Sequence, residues 1–320
     1  MSAILITGGH GGLGFACCKY LAQHSGREII LAGRSMAKMK EAAQELQRDG
    51  AVVTLLELDT SSLASVRAAA ARFRLMIENK EVTSLEAILC NAGGRFEKQS
   101  YSLDGYETTF ATNCIGHFLL VTLLIDLVDD GGRVVFTASG THDPDTMDGK
   151  MVGAVLEPDA FILAHDGKDG KKPTSAGKRY STSKLCNVLE GYELARRLKD
   201  SGSNIASIVY DPGCTSGTGF LREMPKPVRW LSTTKLFESL LRRLGVTMGS
   251  LDFSGTCLAK LAIEPEFAGG SGKYYQSSDG KLIERRSSTL SYDEIRARKL
   301  WDDLAKLVDA KKSEPFKKLK

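Results

Sequence analysis

The sequence lacks a strong excess of charge of either sign. Its 43 Lys and Arg residues stand against 39 Asp and Glu residues, which gives a formal net charge of +4 over 320 residues. This excess is weak and is concentrated near the C-terminus. It therefore does not indicate a protein that binds nucleic acid.

A membrane-spanning or export segment is also missing. The apolar run at residues 118–128 is too short to cross a bilayer. The N-terminus enters an apolar strand with no basic segment, long apolar region or cleavage site before it, so we expect a cytoplasmic protein. The basic tail at about 310–320 fits either a solvated tail or peripheral contact with an anionic membrane surface. A homo-oligomer and a monomer are both compatible with the sequence.

The cysteines and histidines show no metal-type spacing. The cysteines are odd in number and mostly lie in apolar runs, and they are Cys17, Cys18, Cys90, Cys114, Cys186, Cys214 and Cys257. Reduced thiols in a cytoplasm are the simplest interpretation. His117 and His142 have no spacing partner, and such histidines are more often hydrogen-bonded structural residues. We predict no metal.

What is present is the composition and patterning of an α/β protein. Hydrophobic residues make up 42% of the chain and charged residues 26%, which is ordinary for a globular fold. Six short β-like runs alternate with amphipathic helical stretches, which predicts βαβ units and a parallel sheet. The runs lie at residues 3–6, 28–32, 52–56, 87–90, 133–137 and 205–210. We predict one doubly wound domain over residues 1–320, with helices on both faces of the sheet.

Two segments, residues 140–179 and 215–255, break this alternation, and we interpret them as insertions or lids on the domain. The second carries apolar residues at spacings compatible with an amphipathic helix, namely Trp230, Leu231, Phe237, Leu240 and Leu241. We expect this segment to cover the substrate side of the site. An apolar small-molecule substrate, large or flat, follows from that expectation.

The segment TGGHGGLG, residues 7–14, follows the first predicted strand and opens a helix. Backbone N–H groups and a helix N-terminus at such a turn can face a pyrophosphate, and a Cβ would block its approach. The spacing alone also fits an ordinary glycine turn after a strand. We predict that the turn binds a dinucleotide through Gly8, His10, Gly11, Gly12, Leu13 and Gly14.

Arg34 ends the second predicted strand, where NAD-binding proteins usually place an acid that holds the ribose 2′-hydroxyl. A guanidinium there suits a 2′-phosphate, which favours NADP(H); a solvated surface arginine is the alternative. Other candidates follow the third and fourth strands: Asp59, Thr60, Asn91, Ala92 and Gly93. Because open α/β sheets bind ligands at the carboxyl ends of strands, we predict adenine and ribose contacts there, against the alternative of ordinary turns.

The block YSTSK places Tyr180 and Lys184 four residues apart, hence on one face of a helix. A free tyrosine has a pKa of about 10, so it needs a nearby cation to favour the phenolate, and Lys184 would supply it. An isolated YxxxK pair arises often by chance. Here Asn113, in TNCIGHFLL, and Ser139, after the fifth strand, precede it. Four polar residues in this order beside a dinucleotide turn make a specific pattern.

These motifs resemble the short-chain dehydrogenase/reductase family along nearly the whole chain. TGGHGGLG, LDTSS, NAG, TNCIGHF, Ser139, YSTSK and YDPGC fall in the family order. The resemblance implies a Rossmann-type sheet of about seven strands and an NADP(H)-dependent oxidoreductase.

The resemblance also assigns roles to individual residues. Tyr180 would protonate the developing alkoxide and Ser139 would orient the carbonyl. Lys184 would bind the nicotinamide ribose and lower the Tyr180 pKa, and Asn113 would hold a water relay. The cofactor contacts that it implies on this side are Tyr180, Lys184, Pro212 and Gly213.

Further segments of the sequence resemble two subfamilies. One is the light-dependent protochlorophyllide reductases, which are enzymes of chlorophyll biosynthesis, and the other is the retinol-dehydrogenase-like enzymes. The segment PGCTSGTGFLRE, with Cys214, resembles the first group, although a buried packing cysteine is the alternative. Four features depart from that group: TGGHGGLG, NAGG, Ser139 in place of threonine, and Asp211 in place of tyrosine. Three hypotheses follow: protochlorophyllide-type reduction of a ring C=C bond, retinol-type carbonyl chemistry, and a non-catalytic NADP-binding sensor.

Overall fold

The structure is a computed structural model that describes residues 1–168, 170, 172–215, 243, 246–309 and 319. Its strands are β1 (Ser2–Thr7), β2 (Glu28–Gly33), β3 (Val53–Glu57), β4 (Ser84–Cys90), β5 (Val128–Thr137), β6 (Ala206–Asp211), β7 (Cys214–Thr215), β8 (Met248–Gly249), β9 (Tyr274–Ser278) and β10 (Lys281–Arg285). An eight-stranded sheet has the order β3-β2-β1-β4-β5-β6-β9-β10, and β7 pairs separately with β8. All neighbours in the large sheet run parallel except β9 and β10.

The helices between these strands lie in two layers. They are α1 (Gly12–His24), α2 (Met36–Arg48), α3 (Leu63–Glu78), α4 (Thr108–Phe110), α5 (Gly116–Leu124), α6 (Met147–Val152), α7 (Ala160–Ala164), α8 (Ala176–Asp200), α9 (Leu251–Ile263) and α10 (Glu294–Leu307). Side chains of α1, α2 and α9 share one core cluster with Ile4 and Ile6 of β1. Side chains of α3, α5, α8 and α10 share the other with Leu5. Alternate residues of β1 thus enter opposite layers, and every residue of β2 and β6 is buried.

One helical stretch is longer than the sequence suggested. α4, a π-helical turn (Ala111–Ile115), α5 and a final 3₁₀ turn run on from Thr108 to Leu127. By length and composition this stretch would suffice to cross a membrane, with a mean hydropathy of 1.7, but 78% of its most apolar part is buried in the protein. That burial is the pattern of a core helix, and Phe118 packs edge-on against Trp301 of α10.

The structure confirms the doubly wound parallel sheet, and each of the six predicted strands overlaps an observed one. The predicted number of about seven strands is one too few, because β10 folds back on β9. Lys281 pairs directly with Ser278, so the turn consists of Asp279 and Gly280. Both have positive φ, +49° and +76°. Asp-Gly is a strong hairpin signal, and it was present in the sequence.

The structure describes most of the first predicted insertion but only a small part of the second. The first contains a 3₁₀ turn (Gly140–His142), α6 and α7, and its predicted end at residue 179 is too late, because α8 already begins at Ala176. Of the second, residues 216–242, 244 and 245 lie outside the described residues, including Trp230, Leu231, Phe237, Leu240 and Leu241. The substrate cover therefore stays a prediction, as does the role of the basic tail, of which only residue 319 is described.

Candidate active site

The glycine-rich turn between β1 and α1 leaves space at the amino end of the helix. Gly8 and Gly12 have φ of +70° and +53°, which glycine adopts without strain. A Cβ on Gly14 would lie 2.6 Å from the carbonyl oxygen of Gly8, so this glycine lets the turn pack on itself. A Cβ on Gly11 would meet nothing within 4 Å. The cradle therefore fits a dinucleotide pyrophosphate facing the backbone N–H groups. Leu13, by contrast, turns its side chain into the core.

Thr7 joins this turn to the end of β4. Its hydroxyl accepts hydrogen bonds from the backbone N–H groups of Asn91 and Ala92, both at 2.9 Å. The Asn91 side chain donates back to the Thr7 carbonyl at 2.9 Å. His117 Nε2 lies 2.9 Å from the Thr7 hydroxyl, and burial lowers the His117 pKa to about 4. His117 is thus a neutral, hydrogen-bonded structural residue, as predicted.

The end of β2 carries the predicted NADP determinant. Arg34 is exposed, and the following Ser35 caps α2 by accepting a hydrogen bond from the Lys38 N–H. His10 reaches the same strand end, because a Cβ on Gly33 would lie 3.1 Å from its Nδ1. A guanidinium and an imidazole therefore flank the place where an adenosine ribose lies in dinucleotide folds.

The residues after β3 form a tight polar turn. The Asp59 carboxylate accepts hydrogen bonds from the Ser61 N–H at 2.9 Å and the Ser61 hydroxyl at 2.7 Å. Thr60 is buried against the start of α5, since a Cβ on Gly116 would lie 1.9 Å from the Thr60 carbonyl oxygen. The turn accordingly has a structural role beside its predicted one in adenine binding.

Asn113 lies in the π-helical turn, a conformation common at functional sites. Its Oδ1 accepts from the Gly94 N–H at 3.0 Å, while its Nδ2 donates to the Gly94 carbonyl at 3.1 Å and the Ser183 hydroxyl at 2.9 Å. Its main-chain carbonyl accepts from Asn187 Nδ2 at 2.8 Å. A Cβ on Gly93 would lie 2.8 Å from Asn113 Oδ1, so glycine allows this close approach.

Ser139, at the end of β5, hydrogen-bonds through its side chain to Tyr180 of α8. The Ser139 carbonyl also accepts from His142 Nδ1 at 2.7 Å, and His142 Nε2 accepts from the Ser288 N–H at 3.0 Å. Burial raises the Tyr180 pKa to about 12, against the effect of the Ser139 hydrogen bond. Tyr180 is therefore a neutral phenol that can donate a proton.

Lys184 is buried one helical turn after Tyr180. Its Nζ donates to the Thr137 carbonyl at 2.8 Å and to Asn187 Oδ1 at 3.4 Å, and lies 5.7 Å from the centroid of the Tyr180 ring. Burial lowers the Lys184 pKa to about 8. The sequence predicted that Lys184 lowers the Tyr180 pKa; the net shift of that pKa is upward, and the effect of Lys184 itself stays a prediction. Burial of the phenol dominates, and the ammonium is bonded to the oxygens of Thr137 and Asn187.

Pro212 and Gly213 turn the chain away from the end of β6. Gly213 has φ of +69°, and a Cβ there would lie 2.7 Å from the Ser277 carbonyl oxygen. The Pro212 carbonyl accepts a hydrogen bond from the Ser254 hydroxyl at 2.8 Å. Backbone conformation thus accounts for this glycine, and the predicted cofactor contacts stay a prediction.

Cys214 is half-buried in β7, where its N–H donates to the Thr247 carbonyl at 2.7 Å. It packs against the cluster of Val246 and Met248. Its charge, if the thiol ionised, would raise the Tyr180 pKa, so the thiol lies near the phenol. The packing interpretation of Cys214 has these apolar contacts behind it, and its chemical role stays a prediction.

Asp211 occupies the position at which the protochlorophyllide reductase pattern has tyrosine. It is 1% exposed, and its Oδ1 accepts from the Gly213 N–H at 2.9 Å. Its Oδ2 accepts from the Tyr274 hydroxyl at 3.0 Å and from Gln276 Nε2 at 2.7 Å. Asp148, from the first insertion, lies close by, and burial together with Asp211 raises its pKa to about 6. A carboxyl pair therefore lies beside Gly140, next to Ser139.

None of the seven cysteines, all of which are among the described residues, forms a disulfide, and Cys214 is less buried than the other six. Burial raises the pKa of Cys17, Cys90 and Cys114. Within the described part of the chain, no group of three His, Cys, Asp or Glu side chains is arranged to hold a metal ion.

The structure brings the predicted catalytic residues Asn113, Ser139, Tyr180, Lys184 and Cys214 to one end of the sheet, beside the glycine turn. Sequence reasoning missed Thr137 and Asn187, which hydrogen-bond to Lys184, and Thr7, which holds Asn91 and Ala92. Asn187 had a usable signal, since it lies three residues after Lys184 on the same helix face. Thr137 acts through its backbone carbonyl, which no residue pattern reveals.

Comparison with known proteins extends this description. A family model described as short chain dehydrogenase matches residues 2–146. The chain is 31% identical over 323 residues to a chloroplastic protochlorophyllide reductase of Daucus carota, covering 96% of this chain and 78% of that protein. It is 30% identical over 325 residues to the chloroplastic short-chain dehydrogenase TIC 32 B of Brassica napus, covering 96% and 88%.

The fold is also found among solved structures. A short chain dehydrogenase from Burkholderia cenocepacia J2315 in complex with NADP has a TM-score of 0.61 and 18% identity, covering 87% of this chain and 96% of that one. The likeness is one of fold. Taken with the glycine turn, the Ser139–Tyr180–Lys184 geometry and the relatives, it leads to one conclusion: the chain belongs to the short-chain dehydrogenase/reductase family and is an oxidoreductase that binds a nicotinamide cofactor.

Proposed function

We propose that this protein is an NADP(H)-dependent reductase of an apolar, large substrate, with light-dependent reduction of a protochlorophyllide-type ring C=C bond as the leading reaction. The observation that carries the reductase assignment is the contact of Tyr180 with Ser139, with Lys184 buried one turn away. These residues provide a neutral proton donor, a group that orients it, and a buried cation.

NADP(H) as the cofactor is supported by the end of β2. Arg34 is exposed there beside His10, and no acidic residue stands at positions 33–35. Gly8, Gly11, Gly12 and Gly14 would hold the pyrophosphate, and Arg34 the 2′-phosphate. When bound, the nicotinamide would supply the hydride.

The protein's own residues would then handle the proton. Tyr180 would deliver it to the reduced substrate, since its raised pKa keeps the phenol protonated at neutral pH. Ser139 would fix the direction of the phenol, and Lys184 would stabilise the charge left on the phenolate. The apolar cover predicted for residues 215–255 would exclude water.

The protochlorophyllide branch is supported by two observations. Relatives that carry this name match 95–96% of the chain at about 30% identity. Cys214, the residue that the sequence shares with that branch, lies near the Tyr180 phenol. A thiol there can contact a substrate that rests on the tyrosine.

A second candidate is a retinol-dehydrogenase-like carbonyl reductase. The specific observation in its favour is Ser139, because a serine hydroxyl bonded to the catalytic phenol suits the polarisation of a carbonyl oxygen. The relative TIC 32 B, a short-chain dehydrogenase, is as similar to this chain as several of the protochlorophyllide reductases.

One experiment separates the two. Purified protein is mixed with NADPH and protochlorophyllide, and absorbance is followed in darkness and then under light, with retinal as a parallel substrate and NADH in place of NADPH as a control. We expect protochlorophyllide to be converted only under light and only when NADPH is present. Retinal reduction in darkness without any conversion of protochlorophyllide would move the assignment to the second candidate.

A further inference from the structure

Asn187 connects two residues of the candidate catalytic set. It is 2% exposed and lies on α8, three residues after Lys184. Its Oδ1 accepts a hydrogen bond from Lys184 Nζ at 3.4 Å, and its Nδ2 donates to the Asn113 carbonyl at 2.8 Å. The same nitrogen lies 3.7 Å from Cys114 Sγ. A single amide thus spans the gap between the lysine and the π-helical turn.

The orientation of this amide is fixed by its partners. A lysine ammonium can only donate and a carbonyl can only accept, so Oδ1 must face Lys184 and Nδ2 must face Asn113. The flipped amide would cost the buried ammonium one of its two acceptors and would turn Oδ1 toward the Asn113 carbonyl, so that two acceptors would face each other. The amide therefore has one stable position.

This arrangement differs from the one the family resemblance implies. There, Asn113 is expected to hold a water molecule that relays protons to the lysine. Here the Asn113 carbonyl accepts from Asn187 directly, and the Asn113 side chain is bonded to Gly94 and Ser183. A carboxamide orients its neighbours but does not release a proton near neutral pH.

We propose that Asn187 is a positioning residue that holds Lys184 in place by bridging it to the Asn113 carbonyl, in the position where a water molecule would otherwise make that link. This inference rests on the proposed function for the role of Lys184 in proton transfer. The Lys184 ammonium donates two hydrogen bonds, to Thr137 and Asn187. One N–H group is then left that can point toward Tyr180.

Other charged and titratable groups around Lys184 have to be counted in any test. Cys114 from the π-helical turn, Asp211 from β6 and Glu190 from α8 each favour the charged lysine, whereas burial opposes it. Tyr180 lies on the same helix. Burial raises the pKa of Glu190 well above its usual range. Burial, and to a smaller extent the charge of Lys184, lowers the pKa of His117 on α5.

The test measures the protonation of Lys184 without using turnover. Acylation of the Lys184 amine is followed against pH by mass spectrometry of its peptide, in the wild type and in two variants. Asn187→Leu removes the acceptor, so the midpoint of labelling should fall by about one pH unit from the wild-type value. Asn187→Asp adds a negative charge, so the midpoint should rise by at least as much.

A matched control and a second readout complete the design. Val188→Ala alters the next residue of α8, equally buried but packed with Ala138, Tyr192, Val209 and Tyr274. It should leave the midpoint unchanged. In turnover assays, Asn187→Leu should lower kcat about 10-fold, while the apparent NADPH Kd stays within a few-fold of the wild-type value. The alkaline limb of its pH profile should shift in the same direction as the labelling midpoint.

The outcomes are distinguishable. An unchanged labelling midpoint in both Asn187 variants overturns the inference, whatever the enzyme reduces. If Asn187→Leu does not fold, Asn187→Asp still decides, because it must raise the midpoint. If the midpoints move as expected and the wild type turns over neither protochlorophyllide nor retinal, the positioning role stands and the proposed function fails.

Discussion

The nucleotide side of the site, at the ends of β1 and β2, is built from backbone turns, whereas the catalytic side is built from buried side chains of distant segments. Gly8 and Gly12 adopt positive φ within one short stretch of chain, and Arg34 is exposed to solvent. Lys184 and Asn113, by contrast, are almost fully buried. Each of them is held by hydrogen bonds from elements far away in the sequence.

The two sides of the site therefore differ in whether a substitution impairs folding as well as function. On the nucleotide side a side chain can change without unfolding the protein, provided that the glycines keep their conformation. On the catalytic side a buried polar group that loses its partner incurs a desolvation penalty, so function and stability are coupled. The predictions below test whether the two sides are separable in this way.

The largest effect is expected at Tyr180. Tyr180→Phe should retain the fold and NADPH affinity but lower turnover roughly 10²-fold or more, because the proton donor is lost. Turnover and the NADPH Kd are measured on one preparation. Tyr192→Phe is a matched control: Tyr192 is buried on the same helix, bonded to Ser287 at 2.7 Å, and should keep full activity. Undiminished activity in Tyr180→Phe would remove its role as the donor.

Arg34→Asp should come next in size. The loss of a charge-assisted contact, with a repulsive charge in its place, should weaken NADPH binding by roughly 10- to 100-fold and leave NADH binding much less affected. Arg48→Asp, at the other exposed end of α2, serves as the control. Cofactor titrations decide the matter, and an unchanged ratio of the two affinities would refute the assignment of Arg34 to the 2′-phosphate.

Two glycines should separate packing from ligand binding. Gly14→Ala places a Cβ 2.6 Å from the Gly8 carbonyl oxygen, so it should lower the free energy of unfolding by about 1–3 kcal/mol. Gly11 is in extended conformation and its Cβ would meet nothing in the protein, so Gly11→Ala should melt like the wild type but bind NADPH about 10-fold more weakly. Equal Tm losses in both variants would contradict this distinction.

The smallest effect is expected at Cys214. If the thiol contacts substrate, Cys214→Ser should lower turnover a few-fold while the NADPH Kd stays the same, since the nucleotide is bound elsewhere. If it only packs against Val246 and Met248, the same change should lower Tm and spare the activity of the folded fraction. Normal turnover with a reduced Tm would weaken the protochlorophyllide assignment.

The sequence located the backbone turns of the nucleotide side but not the hydrogen bonds of the catalytic side, and the reason is physical. A glycine turn and the strand ends beside it are set by local backbone conformation, which residue types report directly. The Asn187 bridge, the Thr137 carbonyl and the raised Tyr180 pKa depend on burial and on contacts between remote segments, which periodicity does not report.

The hairpin of β9 and β10 is a different kind of miss. The Asp-Gly turn was a local signal that the sequence shows. The strands were missed because they were expected to be short apolar runs, whereas YYQSS and KLIER are rich in polar residues. The mixed polarity of β10 is explained by its position as the edge strand of the sheet.

A double-mutant cycle of Arg34→Asp and Tyr180→Phe tests the separation of the two sides most directly. The NADPH Kd and the turnover at saturating NADPH are measured for the wild type, both single variants and the double variant. We predict that Arg34→Asp changes the Kd alone, that Tyr180→Phe changes turnover alone, and that the double variant shows the product of the two effects. A turnover loss of similar size in Arg34→Asp at saturating NADPH, or a strongly weakened Kd in Tyr180→Phe, would contradict the account.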